Sequence, residues 1–425
     1  MMKLSVDKEK GKLLRDDKPF FWLADTVWSA FTNIRMAEWE NYLEVRRRQG
    51  MNVLQINILP QWDRCLVPND CWPFPTEDGR VFAFTGLNDA YFARAKEMVA
   101  LAVKAGFTPA LVVLWGNFVP GTWETKDITA VNVMPRSFLR EYAQKVCAVF
   151  DEFDPVYIVS GDTDFDDDDA VAYYTDMLHF LQEFSPETLK TAHIKGRYSV
   201  LPEALAEGLD FYLYQSGHNP AADGCSYKLA EEFRCKYPHK PLINSEPCYE
   251  GMGYGKNAVE RFGQREVRRA AWQSVLSGAD AGITYGANGI WNWYKKGMPV
   301  NPTTGEAFFG TPPNAEIALS MPGAEDYGYL AQLLDLWGNP VLTPCPEILG
   351  DESPEIRASQ SEDGKILVYL PAMHKLDLHI ERKPGRILGI DLATRYIYRP
   401  EYRYEESRLS VDLLGYSEDV LLVMA

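Results

Sequence analysis

A chain of 425 residues with a net charge of −17 has room for one large barrel and a small module, and its acidity argues against nucleic acid or an anionic membrane as partner. Seven cysteines, an odd number spread widely without paired CxxC spacing, argue against a disulfide framework or a zinc site. No stretch is long and apolar enough to cross a bilayer, and the start lacks the apolar core of a signal peptide, so a cytoplasmic protein is expected.

Strand-like and helix-like segments alternate through the first three quarters of the chain. Phe20-Phe21-Trp22-Leu23-Ala24-Asp25 suits a strand buried on both faces; it ends in an acid, Asp25, with Trp28 just beyond. Residues 35–49 have helical spacing and stop at Gly50, a helix-ending signal. Residues 52–58 predict a second strand with Gln55 and Asn57 on one side, by the period of two. The loop over 60–87 carries Trp62, Asp63 and Trp72, and loops of that length inside compact domains are usually functional. A helix over 91–105 leads to a third strand at 108–115, ended by Trp115 and followed by Asn117.

A helix over about 135–150 precedes a fourth strand at 155–161, which runs through Ser160-Gly161 into Asp162. Further aspartates follow at 164 and 166–169. Their alternation invites a calcium reading. An EF-hand register starting at Asp162, however, puts Asp167 at the turn glycine and Tyr173 at the bidentate glutamate. Acids held by the dipole of a helix beginning near Ala170 are the preferred account.

That helix covers 169–184, and strands at 189–194 and 209–215 place His193, Gln215 and His218 at one end. The stretch Pro241-Leu242-Ile243-Asn244-Ser245-Glu246-Pro247 predicts the seventh strand, ended near Glu246 because Pro247 cannot donate to a ladder. A helix over 257–276 leads to the eighth strand at 281–286. Beyond it, glycines for a tight path alternate with Tyr285, Asn288 and Trp291, a suitable wall for a sugar ring. A last helix covers about 324–337.

Eight strands in order, separated by helices, are the pattern of an α/β chain folded as a (β/α)8 TIM barrel. From residue 340 the pattern changes to short alternating runs punctuated by turn residues, as in a small antiparallel β-sandwich. The expected domains are therefore a barrel over 1–340 and a β-sandwich over 341–425.

Barrel enzymes keep their chemistry at the carboxyl ends of the strands, where Asp162 and Glu246 both fall. A retaining glycosidase needs two carboxyl groups roughly 5–5.5 Å apart, an inverting one roughly 6.5–9.5 Å. One stays protonated and donates to the leaving oxygen while the other attacks the anomeric carbon. The rings of Trp28, Trp62 and Trp115 recur at the same end of successive strands. His193 and His218 either bond sugar hydroxyls, hold a carboxylate, or pack. No HxH ends the first strand and no HExxH occurs, and Ser245 has no GxSxG elbow. No metal and no cofactor is expected.

The segments Lys18-Pro19-Phe20-Phe21-Trp22-Leu23-Ala24-Asp25-Thr26-Val27-Trp28 and Gln49-Gly50-Met51-Asn52-Val53-Leu54-Gln55 resemble the opening of the apiosidase-like glycoside hydrolases, family 140. Ser160-Gly161-Asp162, Gln215-Ser216-Gly217-His218, Asn244-Ser245-Glu246-Pro247 and Thr284-Tyr285-Gly286 are similar to that family's later strand ends. The resemblance covers about residues 12–340, and the tail is similar to the small β module, labelled collagen-binding, that often follows. It implies a retaining mechanism with Asp162 as acid/base and Glu246 as nucleophile. Ser160 departs from the glycine expected there. The substrate implied is a plant-derived oligosaccharide or glycoside bearing a pentose such as apiose. The same chemistry on another sugar, and a non-catalytic carbohydrate-binding barrel, are the alternatives. Self-association into a homo-oligomer stays open.

Overall fold

The structure, a computed structural model, describes residues 3–67, 71–218, 224–254, 260–300, 311–350, 352–372, 375–413 and 418–425. It opens with an antiparallel meander, β1 (Leu4–Asp7), β2 (Lys12–Arg15) and β3 (Lys18–Pro19), whose runs are too short and polar to be read from the sequence. Leu4 and Leu13 are buried, and the Lys12 ammonium lies 2.8 Å from the Asp280 carboxylate, just ahead of the last barrel strand. The meander thus covers the amino-terminal end of the barrel.

Eight parallel strands follow: β4 (Trp22–Thr26), β5 (Val53–Asn57), β6 (Thr108–Trp115), β7 (Val156–Gly161), β8 (Leu189–Thr191), β9 (Tyr212–Tyr214), β10 (Leu242–Asn244) and β11 (Gly282–Tyr285). Their spatial order is β8-β7-β6-β5-β4-β11-β10-β9, the expected barrel. All their residues except Leu189 are buried, as strands covered on both faces must be. Among the described residues there is no ladder between β8 and β9. The ring closes there through the Asp210 amide on the Lys190 carbonyl (2.8 Å), the Lys190 amide on the Asp210 carboxylate (2.7 Å), the Thr191 hydroxyl on the Phe211 carbonyl (2.8 Å) and, beyond the strands, the Arg197 amide on the Gln215 carbonyl (2.9 Å). Several strands stop short of their apolar runs: the fifth ends at Thr191, which leaves His193 in the loop beyond it.

Helices Met36–Arg48, Asp89–Lys104, Leu139–Phe150, Asp168–Phe184, Glu203–Gly208, Cys225–Lys236, Gln264–Val275 and Gly323–Leu336 wrap the ring. The helix expected over 257–276 begins only at Gln264, because the Gly263 amide is capped by the Glu266 carboxylate at 2.8 Å. Residues 257–259 of that expectation lie outside the described residues. Among the described residues, no helix is long and apolar enough to cross a membrane.

The remainder is antiparallel: β12 (Leu342–Pro344), β13 (Arg357–Ser361), β14 (Ile366–Leu370), β15 (Lys375–His379), β16 (Ile387–Asp391), β17 (Ile397–Tyr398), β18 (Tyr402–Glu405), β19 (Arg408–Asp412) and β20 (Val420–Met424). They form a sheet of order β12-β13-β14-β20-β16-β17 and a smaller one of order β15-β19-β18. On β20, Val420, Leu422 and Met424 join the apolar core between the two sheets, whereas Leu421 and Val423 join the core of the barrel. With both faces covered, β20 reads as an unbroken apolar run.

Candidate active site

Glu246 stands two residues past β10 and is almost wholly buried. Its Oε1 accepts from Gln215 Nε2 at 2.8 Å and lies 2.9 Å from His218 Nε2. The Tyr249 amide donates to His218 Nδ1 at 3.2 Å, which places the ring proton on Nε2, facing the carboxylate. His193 Nδ1 meets the Ser245 hydroxyl at 2.9 Å, and its Nε2 faces Glu246 Oε2 at 3.4 Å. The Tyr249 hydroxyl, which accepts from Trp28 Nε1 at 3.0 Å, also hydrogen bonds Glu246. Burial alone raises a carboxyl's pKa, but the bonds from His193 and His218 outweigh it and hold Glu246 down at about 2. Glu246 is therefore a carboxylate at any working pH.

Asp162 follows β7 in a left-handed conformation, φ 47°, a geometry that turns the chain sharply at the strand end. The indole of Trp123 donates to its carbonyl at 2.6 Å. Gly161 beside it leaves room for the ring of Trp115, since a Cβ there would collide with the indole. Burial, then the charge of Glu246, then Asp63, push the Asp162 carboxyl well above its ordinary value, and Lys195 only partly offsets them. The two acids are thus pushed in opposite directions within one mouth.

The rings around them form two packed groups. Trp28 packs on Trp115 and on His193, both at 5.3 Å between centroids, and Trp62 meets Trp123 edge-on at 5.9 Å. The Asn57 Nδ2, Trp115 Nε1 and Gln215 Oε1 atoms are buried without a protein partner among the described residues, as groups held for a polyhydroxyl ligand are. Of the residues expected here, the structure brings together Asp162, Glu246, Trp28, Asn57, Trp62, Trp115, His193, Gln215 and His218.

Five expectations need correction. Asp25 points away from the mouth: its Oδ2 takes Arg46 Nε at 2.6 Å and the Tyr42 hydroxyl at 2.7 Å, both from the helix Met36–Arg48. Tyr285, paired with Asp25 across the β4–β11 register, also faces outward and donates to Glu250 at 2.6 Å. Gln55 does point inward, but its amide is spent on the Ser245 carbonyl (3.0 Å) and the Thr284 hydroxyl (2.9 Å). Asn288 is fully buried with its amide on Gly251 and Trp291, so the Asn288–Trp291 pair ties down the loop after β11.

Two further groups, Tyr249 and Glu124, escaped the sequence reading, and Asp63 was named there only as part of a long loop. Tyr249 lies in a loop after Pro247 with no periodicity to aim it, although Gly286 was a signal: a Cβ there would strike the Tyr249 ring. Asp63, in the long loop, is raised to about 7 by burial, opposed by Gln61 and reinforced by Glu246. Glu124, on the short helix Trp123–Asp127, is fully buried. The aspartates after Asp162 behave as the helix reading requires. Asp167 caps Asp168–Phe184 by accepting from the Asp169 amide at 3.0 Å, and Asp164 pairs with Lys195 at 2.8 Å.

Comparison with known proteins agrees with this fold. A crystal structure described only as a glycoside hydrolase superposes with a TM-score of 0.82 at 22% identity, covering 100% of this chain and 97% of that one. A glycoside hydrolase family 5 structure from Bacteroides vulgatus ATCC 8482 gives 0.81 at 22% identity, covering 100% and 93%. A putative glycoside hydrolase from the same organism gives 0.70 at 14% identity, covering 100% and 82%. At those identities the likeness establishes the fold. A search of curated proteins found no match. The family model of the apiosidase-like catalytic domain matches residues 8–338, and the chain belongs to that family of glycoside hydrolases.

Proposed function

We propose that the chain is a retaining glycosidase that removes a pentose such as apiose from a plant-derived oligosaccharide or glycoside, with Asp162 as acid/base and Glu246 as nucleophile. Asp162 gives its proton to the glycosidic oxygen as the bond to the anomeric carbon breaks, and Glu246 forms the new bond there. Water then attacks the same carbon, its proton passes to Asp162, and Glu246 leaves as a carboxylate. His193, His218, Gln215 and Tyr249 hold Glu246 charged and aimed. The walls of Trp28, Trp62 and Trp115 meet the C–H faces of the sugar, and Asn57 and Asp63 bond its hydroxyls.

The observation that carries this reading is the opposite push on two carboxyls that follow β7 and β10 at one mouth of the barrel, Asp162 raised by burial and by the charge of Glu246, and Glu246 held down, against its burial, by His193 and His218. A panel of 4-nitrophenyl pentosides and apiose-bearing glycosides tests it. Hydrolysis should yield the free sugar with its anomeric configuration kept, as followed by proton NMR within the first turnovers. Glu246→Gln should lose at least roughly a thousandfold in kcat, and Asp162→Asn should lose most on substrates with poor leaving groups. Inversion at the anomeric carbon refutes the retaining assignment. A binder without catalysis keeps its sugar affinity in both variants and turns over nothing.

A further inference from the structure

Behind Asp162 lies a carboxyl for which the reaction just described has no use. Glu124 has no exposed surface, and neither of its oxygens has a hydrogen-bond partner among the described residues. Its helix is docked directly on the Asp162 segment: the neighbouring Trp123 donates its indole to the Asp162 carbonyl at 2.6 Å and its amide to Asp164 Oδ1 at 3.2 Å. The fold is shaped around the group. Thr122 caps the helix so that Glu124 turns inward, and Gly116 lies so close that any Cβ there would overlap the carboxyl. A charged carboxylate without a partner in such a place costs several kcal/mol, so the group carries a proton. A neutral acid with an unused hydroxyl in turn needs an acceptor.

The groups that face this pair are few. Asp162 feels Glu246, Asp63, Lys195 and Asp164; Glu124 feels Asp162, Asp164 and Asp63; and Tyr174, on Asp168–Phe184, feels the charge of both. Lys195 is the one cation among these and is paired with Asp164. When Asp162 gives up its proton, the buried and unpaired acid of Glu124 is therefore available to donate to it. Burial first and Asp162 second keep Glu124 well above the ordinary carboxyl range, in agreement with its neutral state.

We propose that Glu124 is a positioning residue for the acid/base: a permanently protonated carboxylic acid whose O–H closes onto the Asp162 carboxylate each time Asp162 has released its proton. The inference rests on Asp162 being the acid/base. The Glu124 proton is not consumed. It hydrogen bonds Asp162 while the glycosyl–Glu246 ester exists, and Asp162 is reprotonated by the attacking water. Catalytic hydrogen bonds of this kind are commonly long in the unliganded protein and shorten when charge develops.

The test uses Glu124→Gln, which keeps a donor, Glu124→Leu, which does not, and Asp162→Asn alongside. The kcat/KM–pH profiles are recorded on 4-nitrophenyl and 4-methoxyphenyl apiosides. Glu124→Leu should move the basic limb to higher pH by roughly a tenfold change in proton concentration, because Asp162 loses the donor that stabilises its anion. The methoxyphenyl substrate should slow several-fold more than the nitrophenyl one. Glu124→Gln should retain the wild-type limb. An unmoved limb in Glu124→Leu, or a downward displacement in Glu124→Gln, overturns the proposal, since the latter means that Glu124 was ionised. Infrared difference spectra of wild type against Glu124→Gln decide its protonation without turnover: a carboxylic-acid carbonyl band at neutral pH is expected, and a carboxylate band overturns it. If Asp162→Asn leaves the basic limb and leaving-group dependence untouched, the acid/base assignment itself has failed, a result separate from the infrared outcome.

Discussion

At Asp162 the demands of stability and of chemistry pull in opposite directions. Its folded pKa is raised, so below pH about 4 both folded and unfolded chains are protonated and nothing is lost. Above that pH the unfolded chain ionises while the folded one resists, and stability falls. Asp162→Asn should therefore raise Tm at pH 7 and leave it unchanged near pH 3.5, even as turnover collapses. Glu246 has the reverse sign: its folded value, about 2, lies below the unfolded one, so its contribution is present above pH about 4 and disappears toward pH 2. Glu246→Gln should cost roughly 1–3 kcal/mol at pH 7, read by urea unfolding. Both acids were legible in the sequence because each ends an apolar run. Asp25 ends one too, yet it belongs to the other parity: Trp22 and Thr26 share the inner face of β4, and Asp25 lies between them. No single strand ending reveals which parity its acid takes.

The helix Met36–Arg48 is held to β4 by Arg46, Tyr42 and Asp25, all fully buried. Breaking a buried pair strands a charge, so Arg46→Met should destabilise by about 3–5 kcal/mol. Because these side chains lie outside the ring of strands, whatever active enzyme remains should keep its KM, and a raised KM would place Asp25 back at the substrate. The helical spacing of this element was plain from Trp39, Tyr42 and Leu43, which are buried as the period requires. What spacing did not show was the arginine within that face. Arg46 reads as one of a basic run, Arg46-Arg47-Arg48, and only the acid delivered by β4 separates it from its exposed neighbours. Element boundaries at the carboxyl ends were overestimated for a related reason: apolar side chains continue past the last ladder bond into the loops that build the mouth.

The sandwich is fastened to the barrel by polar clamps as well as by the apolar face of its larger sheet. Arg268, from the helix Gln264–Val275, reaches Asp326 at 2.8 Å, Glu418 at 2.8 Å and Asp419 at 2.6 Å, and Tyr369 adds a bond to Asp419 at 3.1 Å. Such a shared core predicts a single cooperative unfolding transition in calorimetry, and Asp419→Ala should lower its midpoint by the equivalent of roughly 3 kcal/mol without splitting it. Two resolved transitions would show that the modules melt independently. The missing ladder between β8 and β9 has its own consequence at this scale. A ring joined at one point by isolated bonds rather than a ladder should gape there first on warming, and the lips of that gap carry His193 on one side and Gln215 on the other. The earliest heat damage is therefore electrical rather than structural. Glu246 should part from its donors and take up a proton while circular dichroism still reports an intact fold, and the Asp210 amide should exchange deuterium ahead of the barrel's other strands.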